Sequence, residues 1–322
     1  MKQILAVTFS VSVIVAAGDA AAQSNFPQKP IRIVVGFPAG SQADAATRLL
    51  GQKLSESLQK PVVVENVPGA AGSIAAERVA KAAPDGYTLA SAVNAQIIIN
   101  PNLHKLSFDP AKDFAPISQI YTSPNLLVVH TALPATSVQE LIALGRARPG
   151  ELTFATGGSG SSPHLAGALF RSMAGVDIRE IPYKGVVAAM PDLLGGRVIM
   201  MFSVIAVALP PVREGKLRAL AVTSLKRSPA LPEVPTMDES GVRGFEVITW
   251  GGLLAPTGTS ATIVRKLHQE TVKALAQPDL RARFGDLGIE TIGSAPEEFA
   301  AVIQSEIPKW ANLLKRSGIK AD

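Results

Sequence analysis

Serine, glycine and histidine crowd into one stretch, Gly157-Gly158-Ser159-Gly160-Ser161-Ser162-Pro163-His164. Ser161 and His164 are three apart, a spacing that lets two side chains meet on one helical turn. Serine beside histidine is the pairing of nucleophilic hydrolysis. The nucleophile elbow needs G-x-S-x-G, however, and Gly157-Gly158-Ser159-Gly160-Ser161 ends in serine. Two other roles stay open for His164, a polar cap residue or a ligand donor. No catalytic residue is assigned and the chain is not read as an enzyme. A serine hydrolase built on Ser161 and His164 remains an alternative.

Glycine loops carry the second kind of chemistry. Phe37-Pro38-Ala39-Gly40-Ser41 follows the β-branched run Ile31–Val35 and leads into a helical pattern. Gly157–Ser162 does the same after Leu152–Thr156, and Pro68–Ser73 is a third such loop. A loop of this kind presents backbone N–H groups at the positive end of a helix, which suits an anion. Ser159, Ser161 and Ser162 add hydroxyl donors. Each loop also has a plain reading as a turn. Asp44 is either the helix-start acceptor that holds its loop or a cleft group that repels anions or recognises a cationic group on the ligand. Phe37, Tyr183 and Trp250 are cleft aromatics or core residues. Gly158–Pro163 fails G-x-G-x-x-G at its last position, and no G-x-x-x-x-G-K-[ST] occurs, so nucleotides are disfavoured.

Composition narrows the choice further. The chain has no cysteine, which excludes disulfides, thiolate metal sites and cysteine nucleophiles. Its four histidines, His104, His130, His164 and His268, lack ligand spacing, so neither a metal nor a cofactor is expected. The net charge of +5 comes from 31 dispersed Lys and Arg, and aromatic residues make up only 5%. A surface that stacks nucleic-acid bases needs more, so no nucleic-acid partner is expected. Hydrophobic residues at 47% of 322 supply cores for about two domains.

Lys2, the apolar stretch Ile4–Ala17 and Ala20-Ala21-Ala22 follow the order of a cleavable export signal, placed at residues 1–22. The mature chain is expected to be free in a periplasm. Strand and helix patterns then alternate: strands at Ile31–Val35, Val62–Val64 and Tyr87–Val93, helices at Asp44–Gln59 and Ser73–Ala83. A second series runs from Leu126–Val129 through a helix at Ser137–Ala147, a strand at Leu152–Thr156 and a helix at Leu165–Met173. Ile178–Ile181, Ala188–Leu194, Val198–Phe202 and Leu217–Val222 continue it, and Val247–Leu254 reads as a crossover strand. Two helices close the chain, Ala261–Ala276 and Pro296–Lys315. Such alternation implies parallel sheet covered by helices, an α/β class. Two similar strand–loop–helix units imply two lobes facing one cleft.

Several stretches together resemble the receptors of tripartite tricarboxylate transporters, the Bug receptors. They are Phe26–Arg32, Gly36–Gly40, Val64–Gly72 and Pro84–Leu89 in the first half. Pro182–Gly185, Asp192–Gly196, Gly215–Thr223 and Leu231–Thr236 follow in order in the second. The resemblance implies a two-lobed periplasmic binding fold with a central cleft and hinge strands between the lobes. Lobe 1 is expected to comprise residues 23–122 and 250–322, and lobe 2 residues 123–249. It further implies a solute-binding receptor for a small organic carboxylate: a di- or tricarboxylate, an acidic amino acid or an aromatic acid. Delivery is to a membrane transporter with one large and one small integral subunit, and the receptor is expected to be a monomer. A periplasmic sensor serving a signalling receptor is the alternative.

Mapped by the resemblance, the first-lobe ligand loops are Phe37, Pro38, Ala39, Gly40 and Ser41, with Ala70 to Gly72. The second-lobe loops run from Thr156 through Gly157, Ser159, Gly160 and Ser161 to His164, with Phe202-Ser203. Asn94, after the third strand, is a further polar residue expected at the cleft. The family loop commonly reads Pro-Phe-Pro-x-Gly-Gly. Here Gly36 opens it and Ser41 replaces the second glycine, which puts a hydroxyl where the ligand should approach.

Overall fold

The computed structural model describes residues 26–158 and 160–317. The export signal expected at residues 1–22 and Ser159 lie outside the described residues. Among the described residues no helix is long and apolar enough to cross a membrane.

Ten strands form one sheet that changes partners midway. β1 (Ile31–Val35), β2 (Val62–Asn66) and β3 (Thr88–Val93) run parallel, with β1 in the middle. β5 (Thr153–Thr156) lies parallel between β6 (Arg179–Pro182) and β7 (Met200–Val204). These are the two parallel sets the alternating pattern implies. The link between them is antiparallel and includes the expected crossover strand, Val247–Leu254, which is β9 (Ile248–Pro256). β4 (Phe114–His130) is seventeen residues long. From Phe114 to Pro124 it pairs with β9 (Ile248–Pro256), and from Asn125 onward with β7 and with β8 (Leu217–Val222). Thr122 and Tyr121 also pair with β10 (Glu290–Thr291). Only Leu126–Val129 of this long strand was legible. Pro116, Pro124 and two register shifts against β9 break its alternation.

The helices follow local signals closely. Ser41, Ser137, Ser161 and Ser260 each cap a helix by accepting the N–H three residues on. The helix Gln42–Leu58 begins two residues earlier than expected and buries Ala46, Leu50, Leu54 and Leu58, the stripe seen in the sequence. Three helical segments went unread. Ile205–Arg213 contains Pro210-Pro211, Pro278–Asp286 is short and charged, and Ala95–Leu103 opens with a wide π turn.

One core cluster runs through both halves. It joins Val34, Ile97, Ile98 and Leu254 with Phe154, Leu165, Phe202, Phe245 and Trp250. Gly251 and Gly252 let rings lie directly on β9, since a methyl group at either would overlap Tyr121 or Phe299. The halves also touch elsewhere. A methyl group at Gly160 would lie 3.3 Å from Leu103 Cδ1, and one at Gly288 would lie 2.7 Å from Ile205 Cβ.

Candidate functional site

The carboxyl ends of β1 and β5 each feed a serine-capped helix, at Ser41 and at Ser161. In an open α/β sheet this is where ligands bind. The first loop is tightly built. Gly40 donates its N–H to Asp44 Oδ2 at 2.9 Å, and Ser41 N–H donates to the Pro38 carbonyl at 3.1 Å. Ser41 Oγ accepts from Asp44 N–H at 3.3 Å. Asn66, at the end of β2, donates to the Phe37 carbonyl at 3.0 Å and to Asp44 Oδ1 at 2.8 Å. Arg48 donates to Asp44 Oδ1 at 2.9 Å. Burial works against ionising Asp44, but the bonds from Arg48, Gly40 and Asn66 outweigh it and hold the carboxyl below the usual range. Of its two readings, Asp44 therefore takes the first: it is buried and it holds the loop. Phe37 half-covers a small apolar group of Val35, Ala43 and Val93. Pro38, Ala39 and Gly40 are exposed.

The third loop lies against the first. A methyl group at Gly36 would stand 2.6 Å from Gly72 Cα, so this glycine permits backbone-to-backbone approach. Gly72 receives Gln96 Nε2 on its carbonyl at 2.7 Å, and Ala70 receives Asn100 Nδ2 at 3.2 Å. Gln96 and Asn100 come from Ala95–Leu103, directly after β3, and both are buried. Neither was singled out in the sequence. A lone glutamine inside an apolar run is the signal that was there to read.

The second-lobe loop is equally self-bonded. Gly158 N–H donates to Thr156 Oγ1 at 3.4 Å and Ser161 N–H to the Gly158 carbonyl at 3.2 Å. Gly160 N–H donates to His164 Nδ1 at 3.0 Å. Ser161 Oγ accepts from His164 N–H at 3.4 Å. The imidazole Nδ1 is thus spent on the Gly160 N–H rather than on the Ser161 hydroxyl. Thr156 Oγ1 donates to Glu180 Oε1 at 3.0 Å, and His164 Nε2 lies 3.5 Å from Glu180 Oε2. Gly157 stands beside Ser161 and Val186. Ser203 is fully buried at the end of β7 and donates to the Val204 carbonyl at 3.2 Å. Asn125, where β4 changes partners, donates to Ser162 Oγ at 2.6 Å. It too escaped the sequence reading.

Two of the expected cleft residues, Trp250 and Asn94, spend their polar groups inside the fold. Trp250 is 2% exposed, edge-on to Phe299, and donates Nε1–H to Glu306 Oε2 at 2.7 Å, so it is a core residue. Tyr183 follows β6 beside the second-lobe loop: its N–H donates to the Thr156 carbonyl at 3.1 Å, its hydroxyl donates to Asp192 Oδ2 at 2.7 Å, and its ring packs half-buried with the Leu193 cluster. Asn94 is buried and spends its amide on the Ile248 carbonyl at 2.7 Å, where it ties β3 to the start of β9. Each polar atom was available in the sequence, and tertiary partners took it. Among the described residues no group of three or more His, Asp or Glu could hold a metal.

With this geometry in view, similarity to known proteins is informative. Residues 46–319 match the tripartite tricarboxylate transporter family receptor. Protein BugT of Bordetella pertussis is 37% identical over 311 residues, covering 95% of each chain. Rpa4515 of R. palustris, solved with adipate, is 36% identical with a TM-score of 0.83, covering 92% of this chain and 100% of the other. MatC (Rpa3494) of Rhodopseudomonas palustris, solved with bound malate, is 35% identical with a TM-score of 0.79, covering 90% and 100%. The two-lobed fold with antiparallel strands between its lobes is the fold these proteins share. The chain belongs to the receptors of the tripartite tricarboxylate transporter family.

Proposed function

We propose that this receptor captures a small dicarboxylate between its lobes and delivers it to a membrane transporter with one large and one small integral subunit. The observation that carries this reading is the pair of serine-capped helix starts at the carboxyl ends of β1 and β5. Gln42 and Ala43 open the first of these helices, and their N–H groups have no intrahelical carbonyl to bond. The helix dipole favours negative charge there. Adipate and malate, the ligands of Rpa4515 and MatC, are both dicarboxylates and support the class.

Phe37, Pro38, Ala39, Gly40, Ser41, Ala70 and Gly72 are assigned to the first-lobe wall, and Thr156, Gly157, Gly160, Ser161 and Ser203 to the second. The change of strand partners at Pro124–Asn125 supports a division into lobes at 23–122 with 250–322 and at 123–249. The receptor acts as a periplasmic monomer after export, by binding alone and without a chemical step.

A thermal-shift series on refolded mature protein tests this. Adipate and malate are compared with their diamides. At 100 times its Kd a ligand adds about 2.7 kcal/mol, and roughly 2–4 °C per kcal/mol makes that several degrees. A shift with a diacid that is absent with its diamide supports the reading. A shift with the diamide alone overturns it.

A further inference from the structure

We infer that His164 is a positioning residue that pins the turn at Gly160 against the first lobe, and that ligand capture depends on this pin. The inference rests on the carboxylate-receptor reading, because that reading places the ligand beside this turn. His164 is 7% exposed, and its Nδ1 accepts the Gly160 N–H at 3.0 Å. A ring nitrogen accepts only without a proton, so the ring is neutral with its hydrogen on Nε2. That hydrogen faces Glu180 Oε2, 3.5 Å from Nε2, and Glu180 Oε1 is held by Thr156 Oγ1 at 3.0 Å.

Gly160 in turn packs on the other lobe. A methyl group there would lie 3.3 Å from Leu103 Cδ1, 3.7 Å from Asn100 Oδ1 and 3.9 Å from Ile99 Cγ2. The ring therefore links β5 and β6 to the place where the lobes meet. Without a bare nitrogen at Nδ1 the Gly160 N–H loses its acceptor, and the turn loses its tie to β5 and β6.

The test uses the full mature chain. Histidine nitrogen NMR without ligand is expected to show the Nε2–H form of His164. Adipate affinity is then compared between wild type and two variants. His164→Asn keeps an acceptor where Nδ1 stands, whereas His164→Ala removes the acceptor. His164→Ala is expected to bind about tenfold more weakly, the cost of one buried unmet donor, and His164→Asn to restore most of that loss. An Nδ1–H form or no rescue by asparagine overturns the inference. If adipate binds no variant, the carboxylate reading fails. The ring tautomer and the exchange rate of the Gly160 amide, slowed in wild type and His164→Asn but not in His164→Ala, still decide whether the pin exists.

Discussion

Gly36→Ala probes the contact on which the first-lobe site depends. The added methyl carbon would lie 2.6 Å from Gly72 Cα, 2.9 Å from the Gly72 carbonyl oxygen and 3.1 Å from Gln96 Nε2. Ordinary van der Waals contact begins at 3.4 Å, so the two loops must part by about 0.8 Å. Two of the three obstacles are backbone, which cannot swing aside as a side chain does. Parting them also stretches the 2.7 Å bond from Gln96 to the Gly72 carbonyl, whose donor is buried. Overpacking of this size costs about 1–3 kcal/mol. At roughly 2–4 °C per kcal/mol, a central value lowers Tm by about 4–8 °C. Because both loops line the proposed ligand wall, adipate affinity should fall as well, by about tenfold, the order of one lost hydrogen bond. Calorimetric melting with and without adipate measures both quantities. An unchanged Tm together with unchanged affinity would refute the argument that Gly36 serves close backbone approach.

Three further outcomes follow from the same structure. Asp44→Asn should destabilise by about 2 kcal/mol at neutral pH, since Gly40, Arg48 and Asn66 lose a charged acceptor. The folded carboxyl lies below its ordinary value, so its contribution is full above about pH 3.9 and disappears as pH falls through the folded value. Urea titrations at neutral and strongly acid pH should therefore show the gap between wild type and variant closing. Glu306→Gln should act with the opposite sign. Burial raises the Glu306 carboxyl above its usual range, and the Trp250 bond and Lys309 offset this only in part. Stability is thus lost as pH climbs through the raised value, and the glutamine, which still accepts from Trp250, should raise Tm at pH 7 and give no gain below about pH 4. Ser41→Ala should lose about 1 kcal/mol of helix capping in thermal melts, whereas Ser41→Gly should lose only a few tenths. A shift in ligand preference shared by both variants would identify the hydroxyl as a determinant of which anion fits.

The sequence by itself determined every feature that neighbours in the chain can encode. Serine caps, the four-residue spacing of Ala46, Leu50, Leu54 and Leu58, and glycines after β1 and β5 act within a turn or two, so their outcome does not depend on the rest of the molecule. Those signals placed both glycine loops and the two parallel sets of strands. What the tertiary structure alone decided is where each polar group spends its bonds. Asn94 stands next to its loop, yet its amide goes to Ile248, 154 positions away. Trp250 goes to Glu306 across 56 positions, and Gly36 matters because Gly72 arrives against it. The seventeen-residue β4 was hidden for the same reason: its two halves answer to different partners, β9 and then β7 and β8, and no single alternation satisfies both. Local pattern writes the loops, but a hydrogen-bond donor is claimed by whichever acceptor the finished fold sets within 3 Å of it.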